Sequence, residues 1–166
     1  MKKFTLSLRQ LLGILVLSAA LLSCKSKAAF DYSQNFVKKE STLTGAITET
    51  ENKIGTFIRN EQYDSIVACA DRMEAKVDAV MKEVKDEPAP SVKEGDNFKE
   101  AGIKYFAFIK SIYTGYKAYG AAKTPEDRDA ELTKLQDISS KKMDAIKAIQ
   151  DAQQKFADAN GFKIAK

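Results

Sequence analysis

The chain has 166 residues, among them 27 lysines and arginines, 23 aspartates and glutamates, two cysteines, and no histidine or tryptophan. Without histidine, the sequence cannot supply a Ser-His-Asp or Cys-His relay, a histidine-ligated zinc or haem, or a carboxylate–histidine di-iron site. The length fits one domain of ordinary size, and a hydrophobic fraction of 44% is enough for a packed core.

The first 23 residues have the features of a secretory signal peptide. Lys2, Lys3 and Arg9 give a positively charged start without any acid, and residues 11–22 form an uninterrupted run of apolar and small side chains. Twelve residues are too few to cross a bilayer core as a permanent helix. The pattern therefore predicts export of the rest of the chain.

The apolar run ends in Leu21-Leu22-Ser23-Cys24, which resembles the lipobox of bacterial lipoproteins. In such proteins the cysteine sulfur accepts a diacylglyceryl group, the chain is cut before the cysteine, and the new amine is acylated, with palmitate as an expected chain. The resemblance implies a signal peptide over residues 1–23 and stable attachment to a membrane through two or three acyl chains. An ordinary secreted protein and an uncleaved membrane anchor are the alternatives.

The remainder of the chain is nearly neutral. Lys2, Lys3 and Arg9 account for three of the four excess positive charges, and every acid lies beyond residue 23. No block of like charge is left, so the charge pattern does not favour nucleic acid as a partner. Cys69 is the one cysteine other than Cys24. It is either a reactive thiol or a small, partly buried helix residue, and its place beside an apolar stripe favours the second.

Four segments have the hydrophobic period of a helix, at about 31–59, 61–85, 97–119 and 125–160. The stripe of the first segment is continuous once Glu40 and Thr50 are counted in it. The second segment has the most regular stripe, with alternating steps of three and four residues through Tyr63, Ile66, Ala70, Met73, Val77, Val80 and Val84.

No stretch shows sustained period-two alternation, so no strand is expected. The sequence predicts an all-α fold, an up-and-down four-helix bundle over residues 31–166, with residues 24–30 as the lipidated cysteine and a short tether.

Residues that favour turns or helix ends lie between these segments. The first two segments break near Asn60, which predicts a tight helical hairpin, with one long kinked helix as the alternative. Pro88 and Pro90 place a loop before the third segment. Thr124 is an expected N-cap of the fourth segment, and Gly161 is an expected C-terminal stop.

Residues suited to catalysis are sparse. Ser139 and Lys142 stand in the order S-x-x-K, but the companion motifs of serine acyl-enzymes are absent. Pairs of acids such as Asp127 and Asp129 do not follow the calcium-loop pattern, and there is no glycine-rich phosphate loop. The sequence therefore predicts no enzymatic activity, no cofactor and no metal site.

Aromatic residues concentrate in the third segment, which holds seven of the fifteen in the chain. Aromatic rings interleaved with lysines can stack on a ligand or a partner, which makes this helix a candidate binding surface. The alternative is a central helix whose tyrosine rings are buried and whose hydroxyls reach the surface. The candidate surface consists of Tyr113, Tyr116, Tyr119, Lys110 and Lys117.

Residues 95–106, with residues 108–110 and Tyr116 after them, form a charged loop that leads into an aromatic, lysine-containing helix. This stretch resembles a family of small bacterial surface lipoproteins first described in spirochaetes and common in Bacteroidetes-type bacteria, and Tyr63-Asp64 is a weaker match to it. The resemblance implies an exported, lipid-anchored helical protein and carries over no residue with a catalytic role.

Two functions fit these features. The first is a lipid-anchored binding or structural module of the cell envelope, attached to the membrane through its N-terminal lipid and able to contact an envelope protein. The alternative is an inhibitor or immunity lipoprotein that neutralises a periplasmic enzyme or toxin. Lys25 follows Cys24, where an aspartate retains some lipoproteins in the inner membrane, and no acidic surface-export run is present. The periplasmic face of an outer membrane is therefore favoured over its outer surface.

Overall fold

The computed structural model describes residues 24–164, and these residues are all-α, with no strand among them. The expected signal peptide over residues 1–23 lies outside the described residues. The helices are α1 (Cys24–Arg59), α2 (Tyr63–Asp86), α3 (Gly95–Ala121), α4 (Pro125–Ser140) and α5 (Lys142–Asn160).

The first helix begins seven residues earlier than expected. Residues 24–30, predicted as a tether, form the first two turns of α1. Ala29 is fully buried, and the ring of Phe30 lies edge-on to that of Phe162, with 5.9 Å between centroids. The prediction of a tether is wrong because these contacts extend the core to the start of the described chain. Residues 24–30 are therefore part of α1 instead of a separate tether.

The fourth predicted helix is divided in two at Lys141. The Lys141 N–H bonds to the carbonyls of Ile138 and Ser139, which ends α4, and its own carbonyl accepts the N–H of Ala145 in α5. The Ser140 hydroxyl donates to the backbone carbonyl of Asp137 at 2.7 Å. Serine side chains that bond to the preceding turn weaken a helix, so the break falls at a locally weak point.

The turn between α1 and α2 is a three-residue connection, so the chain does not continue as one kinked helix. Glu61 has a left-handed backbone with φ of 55°. Its N–H bonds to the carbonyl of Ile58, and the Gln62 N–H bonds to that of Phe57. This pair of bonds closes the helix end in the same way as glycine-terminated helices do.

Contacts between helices have a consistent order along the chain. On α2 and α3, Lys110 contacts Asp78 while Lys117 contacts Asp71, so residue numbers rise on one helix as they fall on the other. On α1 and α3 the numbers rise together, because Glu40 contacts Tyr105 and Glu51 contacts Tyr116.

Aromatic rings fill one end of the core. The rings of Phe98 and Phe156 are stacked with 5.0 Å between centroids, and Phe36 packs on Phe98 at 5.2 Å. Gly102 allows α1 and α3 to approach here, because a Cβ atom at that position would lie 2.5 Å from Phe36 Cε2. The predicted stripe of α2 is confirmed from its second member onward, since the following residues are buried: Ile66, Ala70, Met73, Val77, Val80 and Val84.

Candidate functional site

Cys24 is the first residue of α1 and is exposed. Beside it lies a cleft of about 740 Å³ between the start of α1, the loop before α3 and the end of α5. Its lining is mixed, with two lysines, an aspartate and several small residues: Lys25, Ser26, Ala89, Pro90, Ser91, Val92, Lys93, Asp96, Ala159 and Asn160. The residue predicted to be lipidated is thus accessible at one end of the described structure.

The predicted binding surface on α3 is not a single exposed face. Tyr113 is fully buried and Tyr116 is 5% exposed, while Tyr119 is half-buried with its ring 6.2 Å from that of Tyr63. The candidate surface is therefore wrong for Tyr113 and Tyr116, and the alternative of a central helix with buried tyrosine rings is confirmed for them. The rings belong to the core because α3 is covered by α2 on one side and by α4 and α5 on another.

The two lysines of that predicted surface connect α3 to α2. Lys110 Nζ donates to Asp78 Oδ2 at 2.6 Å, and Lys117 Nζ donates to Asp71 and, at 3.4 Å, to Glu74 Oε2. The hydrogen bond from Lys110 to Asp78 raises the pKa of Lys110, and the bond to Asp71 raises the pKa of Lys117. Both side chains remain partly exposed, but their charges already have partners on the neighbouring helix.

Two partly buried carboxyl groups on α1 were missed as functional candidates. Tyr105 Oη donates to Glu40 Oε1 at 2.7 Å, and Tyr116 Oη donates to Glu51 Oε2 at 3.4 Å. Both glutamates and both tyrosines are eleven residues apart, which is about three helical turns. The signal was present in the sequence as Glu40 within the apolar stripe, but a glutamate is ordinarily assigned to the solvent side.

Glu51 has the more unusual surroundings. Tyr113 and Tyr116 face it from α3, and the charge of Lys142 acts on it from the start of α5. Tyr113 Oη lies close enough to the Glu51 carboxyl to lower its pKa, although neither Tyr113 Oη nor Glu51 Oε1 makes a hydrogen bond of good geometry among the described residues. Burial raises the pKa of Glu51 to about 7, against smaller opposing effects of the two tyrosines and Lys142. This carboxyl can therefore gain or lose a proton near neutral pH.

The S-x-x-K residues lie on either side of the helix break. Ser139 belongs to α4 and its Oγ is buried without a partner among the described atoms, whereas Lys142 begins α5 and interacts with Glu51. Burial lowers the pKa of Lys142. The break thus separates Ser139 and Lys142, the two members of the motif, onto different helices.

Cys69 is 4% exposed, which confirms it as a buried helix residue.

A second, smaller cavity lies between α3 and α5. It has a volume of about 370 Å³, and its lining includes Tyr105 together with Ala145 and Ala148. Within residues 24–164, no three cysteine, aspartate or glutamate side chains are grouped closely enough to hold a metal ion.

Among the helices described, none is both long enough and apolar enough to span a membrane. Comparison of the chain with protein-family models, with curated proteins and with solved structures gives no match in any of the three.

Proposed function

We propose that this protein is a lipid-anchored binding or structural module of a bacterial cell envelope, with Cys24 as the lipidated residue. The observation that carries the proposal is the position of Cys24, exposed at the start of α1 directly after the apolar run of residues 11–22 and Ser23. The sulfur at that position is accessible to an acylating enzyme. Membership of the surface lipoprotein family that the sequence resembles is part of the same proposal.

As part of the same proposal, the helical domain is an up-and-down four-helix bundle, in which α4 and α5 together take the place of the fourth helix. The opposed numbering of α2–α3 contacts and the parallel numbering of α1–α3 contacts support it. The 36 residues of α1 correspond to about 54 Å of helix. A body of this length would extend from the membrane into the envelope space, where the outer membrane is the favoured attachment site.

The bonds that the charged groups make between helices support a role in binding rather than in catalysis. Glu40 and Glu51 bond to tyrosines, and Lys110 and Lys117 bond to acids of α2, so these groups contribute to helix packing. The exposed helix faces then remain for a partner. An inhibitor or immunity lipoprotein has the same address, and tight inhibition of an envelope hydrolase or toxin would favour that function.

Metabolic labelling with a fatty-acid probe tests the anchor. The wild-type chain should be labelled and sediment with membranes, and Cys24→Ala should be unlabelled. Cys69→Ala is the matched control, because Cys69 is the other cysteine and is buried; it should be labelled like the wild type. An unlabelled wild type, or equal labelling of Cys24→Ala, would contradict lipidation at this residue.

Cross-linking in intact cells tests the binding role. The anchored wild type should form a defined cross-linked product with an envelope protein, and the Cys24→Ala form should lose that product because it no longer resides at the membrane. If no product forms and deletion leaves envelope integrity unchanged, the proposed binding or structural role is wrong even when Cys24 is lipidated.

A further inference from the structure

The start of α1 is packed against the end of the described chain. The ring of Phe30 lies edge-on to that of Phe162, and a Cβ atom at Gly161 would lie 3.9 Å from Ser26 Oγ. Cys24 is therefore joined to the packed part of the molecule by helix and not by a separate linker. Acyl chains on its sulfur would hold this end of the helical domain at the level of the lipid headgroups, because successive helical residues rise by only about 1.5 Å.

The cleft beside Cys24 is built by contacts between its walls. Asn160 Nδ2 donates to the backbone carbonyl of Lys93 at 2.9 Å and to that of Phe156 at 2.8 Å, which joins the loop before α3 to the end of α5. Gly95 allows this loop to fold back, because a Cβ atom there would lie 2.4 Å from the carbonyl oxygen of Pro90. The cleft of about 740 Å³ is thus a feature of the fold, at the end that carries Cys24.

The charges that line this cleft favour an anion. Lys25 and Lys93 are both exposed there, and neither side chain makes an ion pair with a described residue. Lys27, on the same turn of α1, differs because it bonds to Asp31 at 3.0 Å and does not line the cleft. The acid among the lining residues is Asp96, so the lining carries two positive charges against one negative charge.

The start of α3 adds to the attraction of the cleft for an anion. Asp96 belongs to the first turn of this helix, and Glu94 at the N-cap position makes no side-chain bond to the first N–H groups. The N-terminus of a helix carries partial positive charge and free N–H groups, both of which suit phosphate oxygens. The helix start therefore acts in the same direction as the two lysines.

We propose that the cleft beside Cys24 binds the phosphate headgroup of an anionic phospholipid, with Lys25 and Lys93 as the binding residues. The proposal rests on the lipid anchor of the proposed function, since the anchor holds the cleft at a surface where headgroups are concentrated. That proximity favours a lipid over free phosphate as the ligand. Binding would also orient the helical domain, with its anchored end against the membrane and α1 directed away from it.

The rate of lysine modification in vesicles tests the contact. The full chain, lipidated in cells and purified in detergent, is reconstituted into vesicles of phosphatidylcholine, with or without phosphatidylglycerol. Trace labelling with a water-soluble amine reagent gives the rate at each lysine by mass spectrometry. Lys93 should react about fivefold more slowly in the anionic vesicles, and high salt should remove the difference. Lys123, which is exposed beyond the opposite end of α3, should react equally in both.

Variants separate the cleft from a general effect of charge near the membrane. Lys25→Gln should restore most of the reactivity of Lys93, because the headgroup loses one of its two lysines. Lys27→Gln is the matched control, since it removes a neighbouring lysine that does not line the cleft, and it should leave Lys93 protected. Asp96→Asn should slow the modification of Lys93 further, because it removes the acid that opposes the headgroup.

Equal reactivity of Lys93 in the two kinds of vesicle overturns the proposal, and so does an equal loss of protection in Lys25→Gln and Lys27→Gln. Inorganic phosphate that protects Lys93 equally well in phosphatidylcholine vesicles overturns it too, because the ligand would then be free phosphate. All these outcomes leave the lipid anchor intact. A wild type that does not incorporate the fatty-acid probe contradicts the anchor itself, and this proposal with it.

Discussion

Glu51 makes the stability of this protein depend on pH in the direction opposite to that of a salt-bridged acid. Burial raises its folded-state pKa to about 7, whereas the unfolded chain has the ordinary value of 4.5. The folded state therefore holds the proton more tightly, and raising the pH from 4.5 to 7 favours unfolding. The loss of stability due to this residue amounts to about 3 kcal/mol at full ionisation.

Glu51→Gln should accordingly stabilise the protein above pH 7 by up to about 3 kcal/mol and flatten the decline between pH 4.5 and pH 7. Glutamine keeps the shape and hydrogen-bonding capacity but carries no charge. Urea unfolding at pH 5 and pH 8 measures both effects. A smaller decline of stability with pH should remain in this variant, because burial also raises the pKa of Glu40. Lower stability of Glu51→Gln at pH 8 would mean that the ionised carboxyl stabilises the fold.

Gly102 is a residue that packing, rather than backbone conformation, requires to be glycine. A Cβ atom there would lie 2.5 Å from Phe36 Cε2, and that ring is held against Phe98 and Phe106. Gly102→Ala should therefore destabilise by about 1–3 kcal/mol through overpacking, despite the higher helix propensity of alanine. Thermal unfolding measures the change.

Gly45→Ala is the control for Gly102→Ala, because a Cβ atom at Gly45 would meet no atom within 4 Å beyond the backbone of its own helix. In this open position, propensity alone should stabilise by about 0.5–1 kcal/mol. If both alanine variants change stability in the same direction, contact with Phe36 does not explain Gly102.

At the scale of elements, two helices end in the same way but with different residues. The end of α1 places Glu61 in the left-handed region with φ of 55°, and the end of α5 places Gly161 there with φ of 72°. In both, the N–H of the next residue bonds to the carbonyl five positions earlier, from Gln62 to Phe57 and from Phe162 to Ala157. A residue with a Cβ has a steric cost in this conformation that glycine does not.

Glu61→Gly should therefore stabilise the protein by about 0.5–1 kcal/mol, and Gly161→Ala should destabilise it by about 1 kcal/mol. Chemical denaturation of the two variants against the wild type measures these opposite effects. A loss of stability in Glu61→Gly would show that the glutamate side chain contributes more at the turn than its backbone strain costs.

The positions of the helices could be predicted where one periodic stripe dominates. The α2 stripe from Ile66 to Val84 is buried as expected, because a seam with steps of three and four residues fits one helix face. The break at Lys141 was missed although the apolar spacing lengthens there to five residues, from Ile138 to Met143, and Met143 is 63% exposed. The helical start at Cys24 was missed because the burial of this first turn depends on Phe162, more than 130 residues away.

The candidate site could be predicted only in part. The proposed role of Cys24 rests on a local sequence pattern that needs no tertiary contact, and its lipidation stays a prediction. The aromatic residues Tyr113 and Tyr116 correctly indicated a central helix, but they do not form a binding surface, because both are buried. Composition alone cannot show which helices cover a given face. Glu51 was beyond sequence reasoning, since its pKa is raised by burial in the folded structure and the groups that face it belong to α3 and α5, far along the chain.

At the scale of the whole molecule, Phe156 joins distant parts of the chain into one core. Its fully buried ring is 5.0 Å from that of Phe98 on α3, 6.2 Å from Tyr32 on α1, and 5.8 Å from Phe162 in the tail. Phe156→Ala should leave a cavity shared by three segments and destabilise by about 3–5 kcal/mol. Because α1, α3 and α5 lose packing together, unfolding should remain one transition at a lower temperature.

Met143→Ala is the control for Phe156→Ala, because Met143 is the large apolar residue on α5 that is 63% exposed, and its removal should change stability by less than about 0.5 kcal/mol. Calorimetry combined with circular dichroism measures both variants. Early melting of α5 alone in Phe156→Ala, with α1 to α3 unchanged, would show that α1 to α3 form a core that does not need α5. A single shifted transition would show that α5 is part of the core.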